Sequence, residues 1–355
     1  MLMVLIILPS NWYSYLSDRF QRVHVNASYS SWKDILFGVP QGSILGPPFF
    51  NIYLNDLFIF IVLNIANYAD DNSPFSCAKT IPSVISQLKK EADTLLKWIG
   101  YNGLKANPDK FHLLLSDTNS EYSVTVDKFE LQNSNCETIL GIKIDNKLTF
   151  DAHVTDLCTK VSQKLHALSR ISYLMTFEQR KKVMNAFILS QFGYCPLVWM
   201  FHSRTLNNRI NKLHERALRM VYQDSKSSFE ELLLQNKSFT IHVRNIQTLA
   251  IELYKVWYGL SPKIINLIFP LNPSDKYPRE KEFRTRNVKK VSYGTETLAY
   301  LAPKIWSMVP SEMKFFSLSI FTKKIRNWKP DKCPCRLCKL YIKDLGFVNI
   351  TSQVK

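Results

Sequence analysis

Apolar and polar residues follow two different patterns along this chain. Up to about residue 150, short apolar stretches alternate with turn-forming residues; Val124, Val126, Phe129 and Leu131, for example, occupy every second position or nearly so. Such alternation predicts strands. From Asp151 onward, apolar residues recur every three or four positions, which predicts amphipathic helices. The chain is therefore expected to have an α+β first part and a helical second part.

Individual elements follow from the same spacing. The stripe of Val154, Leu157, Val161, Leu165, Leu168 and Ile171 predicts a helix with Asp151 as its N-cap. In the helix predicted over 81–101, the charged residues Lys89, Lys90, Glu91 and Lys97 are expected to face solvent. A helix through Trp12, Tyr15, Leu16 and Phe20 is predicted, with strands around 111–115 and 140–145. Further helices are predicted at 49–60, 177–200, 205–223, within 229–268 and at 317–328.

Two adjacent carboxylates interrupt an apolar stretch at Tyr68-Ala69-Asp70-Asp71. The flanking residues predict a strand, a tight turn and a second strand. Neighbouring side chains on a straight strand point to opposite faces, so the two acids converge only if the backbone bends there. Converging carboxylates favour a hard cation such as Mg²⁺ or Mn²⁺. The alternative is an exposed hairpin tip, where Asp and Asn are ordinary turn residues.

A loop rich in glycine and proline precedes the acidic turn by about 30 residues. Its sequence is Gly38-Val39-Pro40-Gln41-Gly42-Ser43-Ile44-Leu45-Gly46-Pro47. Three glycines and two prolines in ten residues exclude a regular helix or strand and allow the backbone to approach a ligand closely. Taken alone, the segment is typical of a plain connecting loop, which is the alternative.

Together, the loop and the acidic turn resemble motifs B and C of reverse transcriptases, above all those of jockey-like, LINE-type non-long-terminal-repeat retrotransposons. The resemblance implies an RNA-directed DNA polymerase that uses an RNA template, a DNA primer and deoxynucleoside triphosphates. It implies that Asp70 and Asp71 are catalytic and bind Mg²⁺ or Mn²⁺. The residues expected to lie near the template base, the incoming nucleotide or the primer end are Pro40, Gln41, Gly42, Ser43 and Tyr68.

Two further parts of the family pattern differ in how well they match. The turn at 102–110 is similar to motif D, which would place the catalytic Lys110 near the departing pyrophosphate; a solvated turn lysine is the alternative. The third acid, from motif A, has no counterpart, because the only acids before Gly38 are Asp18 and Asp34 and neither is expected on a strand like that of motif A. The expected fold is a truncated polymerase palm of antiparallel strands and packed helices over 1–150, followed by a helical thumb over 151–225 and a basic helical C-terminal region over 226–355. A catalytically dead remnant that only binds nucleic acid is the alternative function.

Charge is distributed very unevenly. The formal net charge is +17, yet residues 1–150 hold 12 lysines and arginines against 14 aspartates and glutamates. The excess positive charge after residue 150 indicates a polyanionic partner.

Two segments are candidate contacts, with a merely solvated basic surface as the alternative. The first, on the helix over 205–223, comprises Arg204, Arg209, Lys212, His214, Arg216 and Arg219. The second, a loop over 269–292 extended to Tyr293, comprises Arg279, Lys281, Arg284, Arg286, Lys289 and Lys290, with Tyr277, Phe283 and Tyr293 interleaved.

Seven cysteines, an odd number, indicate reduced thiols of an intracellular protein rather than a disulfide framework. Cys333, Cys335 and Cys338 have spacing compatible with zinc, but they provide only three ligands, and no histidine follows His242. Reduced cysteines near a terminus are the alternative.

The longest apolar run, Met1–Leu8, is too short to cross a bilayer, so no membrane partner is expected.

Overall fold

A computed structural model of the chain describes residues 14–116, 118, 120–272, 282–288, 294–330, 333–335 and 337. The fold mixes helices and strands and divides into two compact units. The first unit comprises the residues up to 113 together with 119–133, and the second comprises 114–118 and everything from 134. The predictions for Met1–Leu8 and Trp12 lie outside the described residues.

The first unit begins with two small hairpins rather than the helix predicted through Phe20. Among the described residues before β1, 14–16 are helical, and Asp18, with a φ of 51°, cannot continue the helix. Phe20 instead lies on a strand. The antiparallel pairs are β1 (Phe20–Gln21) with β4 (Lys33–Asp34), and β2 (His24–Val25) with β3 (Ser28–Tyr29).

A small apolar cluster forms the core of the first unit. The helices are α1 (Gly46–Leu54), α2 (Leu57–Phe60) and α3 (Ile81–Tyr101), and the hairpin is β5 (Asn64–Tyr68) with β6 (Asp71–Phe75). The predicted hairpin and the helix over 81–101 are thus confirmed, whereas the helix predicted over 49–60 is interrupted after Leu54. The buried members of the cluster are Leu54, Leu57, Ile61 and Trp98.

Glu91 does not face solvent as the pattern of α3 predicted. Its side chain is buried, with 4% of the residue's surface exposed, and Oε2 accepts a hydrogen bond from the backbone N–H of Val62 at 3.0 Å. Val62 lies in the segment between α2 and β5. A carboxylate therefore satisfies a backbone donor that no strand or helix partner satisfies, and it joins α3 to the chain leading into the acidic turn.

The alternating pattern after residue 122 forms strands as predicted. β7 (Leu113–Leu114) is followed by β8 (Ser123–Val126) and β9 (Phe129–Ser134), and β8 pairs antiparallel with β9. Val124 and Val126 are buried on one face of β8. In the second unit, β10 (Cys136–Ile139) and β11 (Ile142–Asp145) form the next hairpin, which turns at Leu140 and Gly141, both at positive φ.

Helices dominate the rest of the second unit. The predicted stripe on α4 (Asp151–Ile171) is buried from Val154 to Leu165, although Ile171 is exposed. Phe150, at a φ of 59°, occupies the N-cap position instead of Asp151. α4 packs in a first core cluster with α7 (Arg204–Tyr222) and α8 (Phe229–Gln235), and α5 (Phe177–Val183) packs against α7. A π-helical turn (Met184–Ile188), a 3₁₀ turn (Leu189–Gly193) and α6 (Pro196–Trp199) connect α5 to α7.

A second core cluster lies around α9 (Ile241–Trp257). α9 packs against α11 (Leu298–Ser307) and α13 (Leu318–Ile325). The Nε2 of Gln247 donates hydrogen bonds to the carbonyl oxygens of Arg326 and Trp328, which fixes the chain after α13. The remaining short helices are α10 (Ile265–Ile268) and α12 (Ser311–Lys314). Over the residues that the structure describes, none of the helices combines the length and apolar character needed to span a bilayer.

Candidate functional site

The acidic turn is a two-residue hairpin loop. Tyr68 pairs with Asp71 across the hairpin, so only Ala69 and Asp70 lie in the loop. Ala69 has a φ of 54°, a left-handed conformation that an alanine adopts at a cost. This backbone reversal brings the two adjacent aspartates to the same end of the hairpin, as the bend predicted from the sequence requires.

Two asparagines brace the turn. The Nδ2 of Asn67 donates to the carbonyl oxygen of Ala69 at 3.0 Å and to the Oδ1 of Asn72 at 2.8 Å. The Nδ2 of Asn72 donates to the carbonyl oxygen of Asp70 at 3.2 Å. Asn67 and Asn72 also face each other in the strand register. The prediction from sequence rested on the two acids and gave neither asparagine a role in the turn, although their placement on either side of the acids was a usable signal.

The two aspartates are exposed and offer carboxylate ligands to a divalent cation, but no third metal-binding side chain in the described part of the chain joins them. Asp70, Asp71 and Tyr68 are all solvent-exposed, so the carboxylates are accessible to a metal ion and to a large substrate. Carboxylate oxygens are the ligands that Mg²⁺ and Mn²⁺ prefer. In the described part of the chain, no group of three or more metal-binding side chains includes either aspartate. Asp34 lies on the two-residue strand β4, and Asp18 lies before β1.

The glycine-rich loop is open to solvent at its two turning points. Gly38 and Gly42 both have a φ of 80°, and no atom lies within 4 Å of where a Cβ would stand. The backbone at these residues is therefore free to contact a ligand. Gln41 is exposed, and Ser43 closes a turn by donating its N–H to the carbonyl oxygen of Pro40 at 3.2 Å. The Oγ of Ser43 accepts from the N–H of Gly46 at 3.0 Å, which leaves its hydroxyl proton available.

One core supports both motifs. Phe50 of α1, which follows the loop, and Ile65 of β5, which leads into the acidic turn, pack against the same cluster of Leu54, Leu57, Ile61 and Trp98. The glycine-rich loop and the acidic turn are thus both anchored to one apolar cluster.

Lys110 is exposed at the end of a single 3₁₀ turn (Pro108–Lys110), which Asn107 caps by accepting from the N–H of Asp109.

An exposed row of cations runs along α7. Arg209, Lys212 and Arg216 are solvent-exposed and spaced three and four residues apart, so they share one helix face. Arg209 donates to the Oγ1 of Thr159 on the neighbouring α4 at 3.5 Å. The next residue on α4, Lys160, is also exposed, as is Lys164 one turn later. We call these five residues the basic helix surface: Lys160, Lys164, Arg209, Lys212 and Arg216.

The basic segments predicted from sequence need three corrections. His214 is fully buried in α7, and burial, with a smaller contribution from Arg244, lowers its pKa to about 3, so it adds no positive charge to the surface. Arg219 is ion-paired with Glu215 at 2.6 Å. Phe283 is buried in the second core cluster and is not available for base stacking. Several predicted residues of the loop over 269–292 and its flank lie outside the described residues: Tyr277, Arg279, Lys281, Lys289, Lys290 and Tyr293.

A group of three potential metal-binding side chains lies in the second unit. His242, in the first turn of α9, is brought next to Cys333 and Cys335, and all three residues are buried. The sequence reasoning paired the two cysteines with Cys338, which lies outside the described residues, and it left His242 out. No local pattern links a histidine to cysteines about 90 residues later.

Comparison with known proteins identifies relatives of this chain. Residues 5–144 match the family described as reverse transcriptase (RNA-dependent DNA polymerase), a range that includes the loop, the acidic turn and Lys110. The chain is 29% identical over 224 residues to the RNA-directed DNA polymerase from mobile element jockey of Drosophila melanogaster, an alignment that covers 59% of this chain and 24% of that protein. No solved structure is significantly similar to the chain.

Two other relatives have the same character. The probable RNA-directed DNA polymerase from transposon BS of Drosophila melanogaster is 29% identical over 225 residues, covering 59% of this chain and 25% of that protein. A retrovirus-related Pol polyprotein from a type-1 retrotransposable element R1 of Nasonia vitripennis is 24% identical over 176 residues, covering 46% of this chain and 43% of the relative. The chain spans about a quarter of the length of the jockey and BS proteins.

Proposed function

We propose that this chain carries a reverse transcriptase domain of the type found in jockey-like, non-long-terminal-repeat retrotransposons and acts in RNA-directed DNA synthesis. The observation that carries the proposal is the braced hairpin with Asp70 and Asp71 at its end, inside the matched domain and on the same core as the glycine-rich loop. The reaction would join the α-phosphate of a deoxynucleoside triphosphate to the 3′ hydroxyl of a primer and release pyrophosphate.

Each residue of the site has a role that fits its position. Asp70 and Asp71 would hold a divalent cation, which activates the primer hydroxyl and stabilises the charge on the departing phosphate. Tyr68 offers an exposed ring beside them for the primer end. The open backbone at Gly42 and the exposed amide of Gln41 suit close contact with a nucleotide or template base. Lys110 would neutralise or protonate the departing pyrophosphate.

The basic helix surface would contact the nucleic-acid backbone in the manner of a polymerase thumb. Five exposed cations on two packed helices form a surface for phosphates, which are recognised without regard to sequence. Replacing Lys212 and Arg216 with alanine is expected to weaken binding of a primer–template duplex and to lower the dependence of log affinity on log salt by about one unit per lost phosphate contact. An unchanged salt slope would argue against this role.

Primer extension on an RNA template tests the polymerase activity. The full chain is incubated with a primed RNA, deoxynucleoside triphosphates and Mg²⁺ or Mn²⁺, and compared with Asp70→Asn and with the control Glu130→Gln. Glu130 is an exposed acid in the same unit, on β9 rather than in the acidic turn. Elongation by the chain and by the control, lost in Asp70→Asn, supports the proposal.

The same assay separates the alternative function. No elongation with either metal, together with salt-dependent binding of the duplex, would overturn the polymerase proposal. That result would favour a remnant that only binds nucleic acid through the basic helix surface.

A further inference from the structure

We propose that His242, Cys333 and Cys335 form a structural zinc site in the second unit. The Nε2 of His242 lies 3.2 Å from the Sγ of Cys335, and the ligand atoms of all three residues lie within 4.8 Å of one another. With Zn–S bonds of about 2.3 Å and Zn–N bonds of about 2.0 Å, tetrahedral ligands stand about 3.5–3.8 Å apart. Small side-chain adjustments would therefore place one ion at the bonding distance from all three atoms.

The chemistry of the three groups favours zinc over other common cations. Two thiolates and an imidazole are soft to borderline ligands, which Mg²⁺ and Ca²⁺ do not select. The Nδ1 of His242 is buried and has no hydrogen-bond partner among the described residues, so no partner within that part of the chain competes for the orientation of the ring. A simple S–H···N hydrogen bond would explain the contact of Cys335 with His242, whereas a metal ion accounts for the convergence of all three ligand atoms within 4.8 Å.

The location of the site indicates a structural rather than a catalytic role. Cys335 is completely buried, and only 6% of the surface of His242 and of Cys333 is exposed. Three ligands leave one tetrahedral position to a water molecule or a further side chain, and the burial of all three residues gives a substrate no access to that position. His242 belongs to the first turn of α9, while the cysteines belong to the second core cluster at the end of the described chain. A bound ion would fasten the segment after α13 to the start of α9.

Metal analysis of the intact protein tests the site without reference to polymerase activity. The full chain is purified under reducing conditions without chelators, and its zinc content and its affinity in competition with a chromogenic chelator are measured. We expect one zinc ion per chain, and we expect His242→Ala and Cys335→Ser to lower the affinity by more than about tenfold. Cys158→Ala is the matched control, because Cys158 is a buried cysteine in the first core cluster, and it should retain zinc.

Substitution with Co²⁺ keeps the proposal testable even if a ligand variant misfolds. The wild-type chain loaded with Co²⁺ should show thiolate-to-cobalt charge transfer and the intense visible bands of tetrahedral cobalt, both abolished by one equivalent of Zn²⁺. Removing zinc with a chelator should lower the melting temperature of the wild-type chain and of Cys158→Ala. The proposal is overturned by a chain that binds no zinc on titration, by iron as the bound metal, or by a cobalt spectrum without thiolate bands.

Discussion

Acid should destabilise the first core cluster through one neutral histidine. His214 lies fully buried on α7, and neither ring nitrogen has a hydrogen-bond partner in the part of the chain that the structure describes. Its ring packs edge-on against Phe229, with centroids 5.5 Å apart. Burial, and to a smaller extent Arg244, lowers the pKa of His214 to about 3. The perturbation we propose is His214→Phe, which keeps an aromatic ring and removes the titrating group.

The magnitude follows from proton linkage. In the unfolded chain the pKa of a histidine is about 6.5, so between pH 6.5 and 3 the unfolded chain binds a proton that the folded chain does not. The stability that neutral His214 contributes is therefore fully present above pH 6.5 and is lost as the pH falls below that value. At pH 5 the loss attributable to His214 is about 2 kcal/mol. His202, whose pKa burial lowers to about 4, adds a similar acid sensitivity that remains in the variant.

Urea unfolding of the wild type and His214→Phe at pH 8 and pH 5, followed by circular dichroism, measures this effect. The difference in unfolding free energy between the two pH values should be about 2 kcal/mol smaller in the variant. Comparing slopes with pH cancels any packing cost of the larger ring. His166→Gln is the control, because His166 is exposed on α4. Parallel pH profiles for wild type and His214→Phe would refute the reasoning.

Three further substitutions have expected outcomes. Glu91→Ala should lower the unfolding free energy of the chain by about 1–3 kcal/mol, because it removes the buried carboxylate that accepts from the N–H of Val62, while Glu91→Gln should lose less; equal losses in chemical denaturation would contradict this. Ala69→Gly should raise the unfolding free energy by up to about 1 kcal/mol and the melting temperature slightly, since it removes the backbone strain of an alanine in the left-handed conformation. A lower melting temperature would argue against strain. Burial raises the pKa of Asp145, but hydrogen bonds from the residues before α4 outweigh it and leave the pKa lowered. Asp145→Ala should accordingly cost about 1.5–3 kcal/mol near neutral pH and less as acid protonates the wild-type carboxylate, a pH dependence that urea titrations would reveal or exclude.

Features that depend on neighbours in the sequence were predictable. The acidic turn needs only a strand, a two-residue reversal and a returning strand, all within Asn64–Phe75. The long helix α3 likewise follows from apolar spacing over 21 residues. The resemblance of the glycine-rich loop and the acidic turn to motifs B and C added their functional meaning, because two local patterns in a fixed order are far more specific than either alone.

Features whose partner lies far away in the chain were not predictable. Glu91 was assigned to solvent because charged residues usually are, yet the backbone N–H of Val62 makes its burial favourable. His214 was assigned to a basic face because its neighbours on α7 are cationic, but Phe229 and the first core cluster enclose it. His242 acquires meaning only beside Cys335, which lies in another segment. In each case the residue type was visible and its environment was not.

The construction of the acidic turn determines how Asp70→Asn should be interpreted. The hydrogen bonds that brace the turn use the side chains of Asn67 and Asn72 and the backbone oxygens of Ala69 and Asp70, and none that the structure describes uses an aspartate carboxylate. Both carboxylates are exposed, so water and salt screen their repulsion and no cation is needed to hold the turn together. Removing one charge should therefore leave the hairpin intact. A loss of primer extension in Asp70→Asn would then report the chemistry of the carboxylate rather than a collapse of the site.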